Sequence, residues 1–293
     1  MANSMSRELT PEWLEAYGLE ESELDQAYTS LDQTARARLK KTIAQLFEFY
    51  SQYSVQERRC ETHWSAGMVT VQRLRPVPWT LTVLAPEIDS PAQLLAAALP
   101  PLSLGVECCL VVRAAAGSPW PPSLICAMEL AGLERMYSLP REHLPSLVDY
   151  LDRVSPWGTV LCLGEVTPLG AHNCKPRSIT LDPPRSVGLW YEESVFWDEA
   201  ALRFAHPSLE LLRHGPGAPP PASGREAPAA DWNAFVSRDA EGLFVPPRLI
   251  PSAMDHQRLV LGPGQEACWV WPQLTREVFL QRRLAWYEQA DWP

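Results

Sequence analysis

The sequence predicts an α/β protein in which mostly parallel sheets are covered by helices and preceded by N-terminal helices. Three observations carry that expectation. Between residues 79 and 163, short apolar runs of strand length alternate with helical stretches, the order that builds a parallel sheet. The runs at Trp79–Leu84 and Thr159–Leu163 hold few polar residues, as strands buried on both faces require. Ahead of them, apolar side chains recur at Leu39, Ile43, Leu46, Phe47 and Tyr50 along one helical face.

In chain order, Thr10-Pro11-Glu12 reads as an N-cap, a first-turn proline and an acidic first turn, and a helix is expected from Ser30 to about Tyr53. Met68–Leu74 alternates like a half-buried strand, and Trp79–Leu84 reads as a buried one. Then come a helix (Pro91 to Leu104), a strand (Cys108 to Val112), a helix (Pro121 to Leu133), a short strand (Arg135 to Ser138), a helix (Arg141 to Val154) and a strand (Thr159 to Leu163). The second half predicts a strand at Val187 to Tyr191 and a helix at Trp197 to Phe204. Residues 214–224 are too rich in Pro and Gly for a ladder or a helix and read as a loop. A helix (Ala230 to Arg238), strands near Gly242 to Val245, Leu259 to Leu261 and Ala267 to Trp271, and a last helix from Thr275 to Tyr287 complete the reading.

Composition narrows the function classes. In 293 residues the apolar share is 46% and the charged share 20%, so the chain can bury a sizeable core. With 25 basic against 35 acidic residues the net charge is -10, and no basic stripe is present to neutralise phosphates, which argues against nucleic acid as a partner. No apolar stretch reaches the ~20 residues that cross a bilayer, and the first residues lack the pattern of a secretory signal, so a cytoplasmic protein without membrane contact is expected. Seven irregularly spaced Cys fit reduced thiols.

Motifs that carry chemistry are sparse. Gly262-Pro263-Gly264 follows a strand, where backbone amides can hold a phosphate, but the three spaced glycines of a dinucleotide fingerprint are absent and a plain turn explains it. Cys108 and Cys109 are neighbours in a strand, so their side chains point to opposite faces and cannot share an ion. His172 and Cys174 are two apart, without a second pair to close a metal site. Gly164-Glu165 follows a strand, where loops of parallel sheets carry function, and an oxidoreductase using Cys162, Glu165, His172 or Cys174 is one reading. Trp269, Trp271, Trp286 and Trp292 lie near the C-terminus; an exposed patch among them would favour a protein-interaction role.

Several segments, in the same order, resemble histidinol dehydrogenase of the aldehyde dehydrogenase-like superfamily, the zinc- and NAD-dependent enzyme that ends histidine biosynthesis. They are the helix ending Ile43-Ala-Gln-Leu-Phe-Glu-Phe-Tyr-Ser-Gln52, the stretch Val71-Gln-Arg-Leu-Arg-Pro76, and the block from Ala97-Ala98-Leu99-Pro100 through Leu104-Gly105-Val106-Glu107 to Ala127-Met-Glu-Leu-Ala-Gly-Leu-Glu-Arg-Met-Tyr137. Later, Arg203-Phe-Ala-His-Pro-Ser-Leu-Glu-Leu211 is similar to the family's Arg-Ile-Ala-Pro-Glu-His-Leu-Glu-Leu, and Leu274-Thr-Arg-Glu-Val-Phe-Leu-Gln-Arg-Arg283 to its Leu-Ser-Val-x-Asp-Phe-Leu-Lys-Arg. The resemblance implies two Rossmann-like lobes: residues 76–170 as an inserted lobe, and residues 1–75 with 186–293 as a discontinuous one.

The departures bear on activity. Pro207 and Ser208 stand where the family's Glu-His pair does the acid/base chemistry, and Leu139-Pro-Arg-Glu142 replaces its Gly-Gly-Ala-Gln run. Of the family's zinc ligands only one has a match, Asp255, and a single carboxylate does not hold zinc. The expectation is a pseudoenzyme with a binding or regulatory role, no bound cofactor, weak NAD binding at most, and no zinc. Weak cofactor-site candidates are Gly164, Glu165, Gly262 and Gly264. A small molecule or a protein is the expected partner, with a homodimer among the readings; alternatives are an NAD(P)-dependent oxidoreductase with an altered site and an interaction subunit.

Overall fold

The computed structural model describes residues 9–52, 57–65, 67–115, 117–166, 176–219, 231–238 and 240–288. After a 3-10 turn at Glu12–Tyr17, helices α1 (Glu21–Ser30) and α2 (Gln33–Ser51) lead into strands β1 (Arg58–His63), β2 (Met68–Pro76) and β3 (Trp79–Leu84). The chain then alternates through α3 (Pro91–Ser103), β4 (Cys108–Arg113), α4 (Pro122–Leu130), β5 (Met136–Ser138), α5 (Leu144–Val154), β6 (Thr159–Leu163) and β7 (Arg177–Leu181). The second half runs β8 (Ser186–Trp190), α6 (Glu199–Ala205), β9 (Glu210–His214), α7 (Trp232–Val236), β10 (Leu243–Phe244), α8 (Ile250–Met254), β11 (Val260–Leu261) and β12 (Leu280–Glu288). Helix starts are chemically marked: Asp32, Ser90 and Asp198 each accept a hydrogen bond from a first-turn backbone N–H of the helix that follows.

The described residues form three sheets. Strands β5-β4-β3-β6-β7 form a wholly parallel sheet, β11-β10-β8-β9 a second parallel sheet, and β1-β2-β12 an antiparallel one. Alternating side chains of the five-stranded sheet enter two cores. Leu81, Val83, Leu110, Val112 and Val160 face α5, whereas Leu84, Val111, Leu161 and Leu163 face α3 and α4. The second of these cores continues without a break into the four-stranded sheet through Leu181, Val187, Leu189 and Phe244, and outward to α1 and α2. No helix among the described residues is long and apolar enough to cross a membrane.

The C-terminal segment departs from expectation. Residues 276–279 form a short 3-10 turn and 280–288 a strand, where the pattern predicts a helix over 275–287. The reason is tertiary: β12 pairs with β2 along its whole length, from Leu280 opposite Pro76 to Glu288 opposite Met68. Residues 267–271 are not a strand either; Trp269 and Trp271 are buried, and the Trp271 indole donates to the Gln93 carbonyl at 3.0 Å. The expected loop over 214–224 starts one residue later, because His214 pairs with Trp190 as the last residue of β9; residues 215–219 lack regular structure, and residues 220–224 lie outside the described residues.

Candidate functional site

Strand order locates the site. From β3 the chain winds outward to β4 and β5, then crosses back to β6 and β7 on the other side, so the winding reverses between β3 and β6. In open parallel sheets ligands sit at such a reversal, beyond the carboxyl ends of the strands. A cleft of about 670 Å³ lies there, bounded by Glu87, Ile88, Asp89, Ser90 and Gln93 after β3 and by Gly164 and Glu165 after β6. The opposite wall comes from the amino ends of the four-stranded sheet: Asp182–Arg185 ahead of β8, His206, Ser208 and Leu209 ahead of β9, and Glu241 ahead of β10.

Local chemistry shapes both walls. Gly164 has φ +81°, and a Cβ there would lie 2.6 Å from Glu87 Oε1 and 2.8 Å from Ala85 Cβ, so only glycine lets the chain turn this tightly. Glu87 Oε1 accepts from the Glu165 N–H at 3.1 Å, joining the ends of β3 and β6. Beneath them the buried Arg113 guanidinium donates to the Pro86 carbonyl at 2.7 Å and to that of Ile88 at 3.4 Å. Burial pulls the Arg113 pKa down, and the charges of Asp89 and Glu87 oppose that pull. Across the cleft, the Ser208 hydroxyl donates to Asp89 Oδ2 at 2.5 Å, and Glu241 accepts from the backbone N–H groups of Arg185 and Ser186.

His206 is almost fully buried behind this wall. Its ring lies 3.1 Å from Ser90 Oγ and 3.4 Å from the Cys268 carbonyl, and it meets Trp269 edge to face. Burial pulls its pKa to about 4, so at neutral pH the ring is uncharged and a weak base. Cys162, on β6, has its thiol pushed up to about 11 by burial and is not a thiolate at neutral pH.

No protein-family model matches the sequence, and no curated relative is found by sequence. Solved structures do align. Histidinol dehydrogenase from Elizabethkingia anophelis superimposes with a TM-score of 0.59 at 11% identity, over 92% of this chain and 76% of that one. The fold is similar to that of histidinol dehydrogenase. Succinate-semialdehyde dehydrogenase from Burkholderia pseudomallei (TM-score 0.49, 8% identity, 91% of this chain and 84% of that one) and an NAD-dependent benzaldehyde dehydrogenase from Corynebacterium glutamicum (0.46, 11%, 90% and 90%) align less well.

Of the residues singled out from sequence, Gly164, Glu165 and Ser208 meet at the cleft, with Pro207 exposed beside it. Gly262 and Gly264 do not line it. They form a turn against α2, where the Gly264 carbonyl accepts from Lys41 Nζ at 3.0 Å. Asp255 stands exposed at the end of α8, also away from the cleft, and His172 and Cys174 lie outside the described residues. Among the described residues no three His, Cys, Asp or Glu side chains converge as a metal would need. Sequence reading missed Glu87, Asp89, Asp182, Arg185, His206 and Glu241. Only Glu87 and Asp89 carry a local signal, as carboxylates between a strand and a helix N-cap.

NAD and zinc, the groups associated with this fold, can be tested against these residues. Among the described residues, a pyrophosphate would face five carboxylates (Glu87, Asp89, Glu165, Asp182 and Glu241) and one lining arginine, Arg185. At the turn after β5 the Leu139 side chain is buried in the core and its N–H already donates to the Arg113 carbonyl at 3.0 Å, while Pro140 has no N–H. Neither Leu139 nor Pro140 therefore has an amide to offer a dinucleotide. The described residues fit neither group.

Proposed function

We propose that this chain is a non-catalytic binding protein on a histidinol dehydrogenase-like scaffold, and that its cleft takes a small cationic solute. The observation that carries the reading is the Ser208–Asp89 hydrogen bond. Where the resemblance expects an acid/base pair, Pro207 has no titratable group and the Ser208 proton is already given to a carboxylate across the cleft. With His206 uncharged and buried and the Cys162 thiol protonated, neither side chain is poised to take or pass a proton at neutral pH. The excess of carboxylates favours a cation, in particular an amine that can donate to Asp89 or Glu87.

The test uses histidinol twice, as substrate and as cationic probe. Incubated with NAD, the protein yields no NADH; a signal proportional to protein concentration would overturn the non-catalytic reading. In a thermal-shift titration, NAD gives no saturable shift, whereas amines such as histidinol or spermidine raise the melting temperature, and Asp89→Asn removes that effect. At a hundredfold excess over Kd a ligand stabilises by about 2.7 kcal/mol, or roughly 2 to 4 °C for a chain of this size. A saturable shift with NAD, or amine binding indifferent to Asp89→Asn, refutes the proposed ligand class.

A further inference from the structure

A second cavity, of about 630 Å³, lies at the other end of the five-stranded sheet from the cleft, against the amino ends of β6 and β7. Its remaining walls are the 3-10 turn at 276–279 and the paired strands β2 and β12. These walls are tied together. The Thr159 hydroxyl donates to the Val278 carbonyl at 2.9 Å, the Arg177 guanidinium to the Glu277 carbonyl at 2.7 Å, and the Val77 N–H to the Phe279 carbonyl at 2.9 Å. Val77, Val278 and Leu280, all buried, give the cavity an apolar floor.

Its charge is the reverse of the cleft's. Arg177, Arg276 and Arg282 line it together with one carboxylate, Glu277, on a chain whose net charge is -10. Three arginines less one carboxylate leave the lining two positive charges in excess, and Glu277 is already engaged by Arg276 Nε at 3.0 Å. Among the described residues the Arg282 guanidinium has no hydrogen-bond or ion-pair partner. Its planar fork of N–H donors matches the oxygens of a phosphate or a carboxylate.

The rim adds a flat apolar surface. Trp157 holds φ +86°, a backbone conformation that is strained for a bulky side chain and free for glycine. Packing does not offset that strain fully, because the residue is left 48% exposed at the cavity. A glycine does stand next to it: at Gly158 a Cβ would strike the Trp79 ring at 2.0 Å. The chain thus keeps glycine where packing demands it and a strained tryptophan where a ligand would meet it.

We propose that this amino-end pocket binds a small aromatic dianion, a phosphate monoester on a flat ring being the class that fits. The three guanidinium groups take the head group and the Trp157 indole stacks on the ring. A pyrophosphate diester spreads its charge over two phosphorus centres and offers no such head group. The site is separate from the cleft and does not depend on the function proposed for it.

Isothermal titration calorimetry of the full chain at pH 7.5 and low salt, with phenyl phosphate as the probe, should show saturable binding. Inorganic phosphate should bind roughly tenfold more weakly for want of a ring. Arg282→Gln should weaken phenyl phosphate about tenfold, the loss of a charge-assisted hydrogen bond. Glu277→Gln should tighten it, since the opposing charge goes and Arg276 is freed. Trp157→Asn, a residue that takes positive φ more readily, should bring phenyl phosphate down to the affinity of inorganic phosphate. If that variant fails to fold, the two charge variants still decide, because a merely structural role would not move affinity in opposite directions. No saturable heat with millimolar phenyl phosphate, equal affinity for the two phosphates, or affinity unmoved by Arg282→Gln and Glu277→Gln overturns the proposal.

Discussion

Acidification isolates one buried side chain, His206. An ordinary histidine titrates near 6.5 and burial holds this one near 4. Above pH 6.5 the ring is neutral in both the folded and the unfolded chain, and its contribution to stability is complete. As the pH falls below 6.5 the unfolded chain takes up a proton that the folded protein refuses, so stability drops by up to ~1.4 kcal/mol per pH unit. By pH 5 the loss is about 2 kcal/mol, and below pH 4, where both states are protonated, it levels off at about 3 kcal/mol. Glu199, held near 2, acts only below the ordinary carboxylate range and adds nothing between pH 7.5 and 5, and the comparison with a variant singles out His206 from the other histidines. Urea unfolding at a series of pH values in that interval, for wild type and His206→Gln, gives the comparison. The variant is less stable throughout because Ser90 and the Cys268 carbonyl lose a partner, but its stability should fall less by about 2 kcal/mol over the interval. Parallel curves for the two proteins would refute the assignment.

Gly158→Ala should destabilise by about 3 kcal/mol or more in urea melts, because the new Cβ would lie 2.0 Å from a ring carbon of Trp79, whose fully buried indole is tied to the Ser155 carbonyl at 2.6 Å. Arg213 hydrogen-bonds Glu199 and holds its carboxyl near 2, a stabilisation present above the ordinary carboxylate range and lost as the pH falls toward 2. Arg213→Met should cost ~2 kcal/mol at pH 7 and flatten the loss of stability between pH 4.5 and 3, both read from denaturant melts. Burial pushes the Cys109 thiol to about 12 and those of Cys162 and Cys268 to about 11, and it raises Cys108 and Cys126. A thiol reagent at pH 8 should therefore modify exposed Cys60 quickly and spare these five until the protein unfolds; rapid labelling of any of them, located by peptide mapping, contradicts that protection.

The parallel core was legible because strands buried on both faces write themselves as apolar runs: β3, β4 and β6 need no partner information to be recognised. Strand β12 was not, since Arg282, Leu284 and Ala285 suit a helix and the pairing that overrides them comes from β2, some two hundred residues earlier. Strand β7, Arg177–Leu181, is mostly exposed and polar and leaves no apolar signature. The cleft was half legible. Gly164 and Glu165 follow a recognisable strand, and Ser208 came from the aligned family segment. Asp182, Arg185 and Glu241 reach the site only because β8 and β10 lie side by side, and strand order is not written in local sequence.

The passage from β7 to β8 takes four residues, Asp182-Pro183-Pro184-Arg185, two of them with backbone rotation fixed by a ring. On either side of it, Leu181 and Val187 belong to one continuous buried cluster. A linker this short and stiff, spanning a core that does not stop at the boundary, gives the two walls of the cleft no pivot on which to swing. Under the proposed function, occupancy would then be registered electrically rather than mechanically: a cation among Asp89, Glu87 and Glu165 would neutralise part of the mouth while leaving the molecular outline as it was.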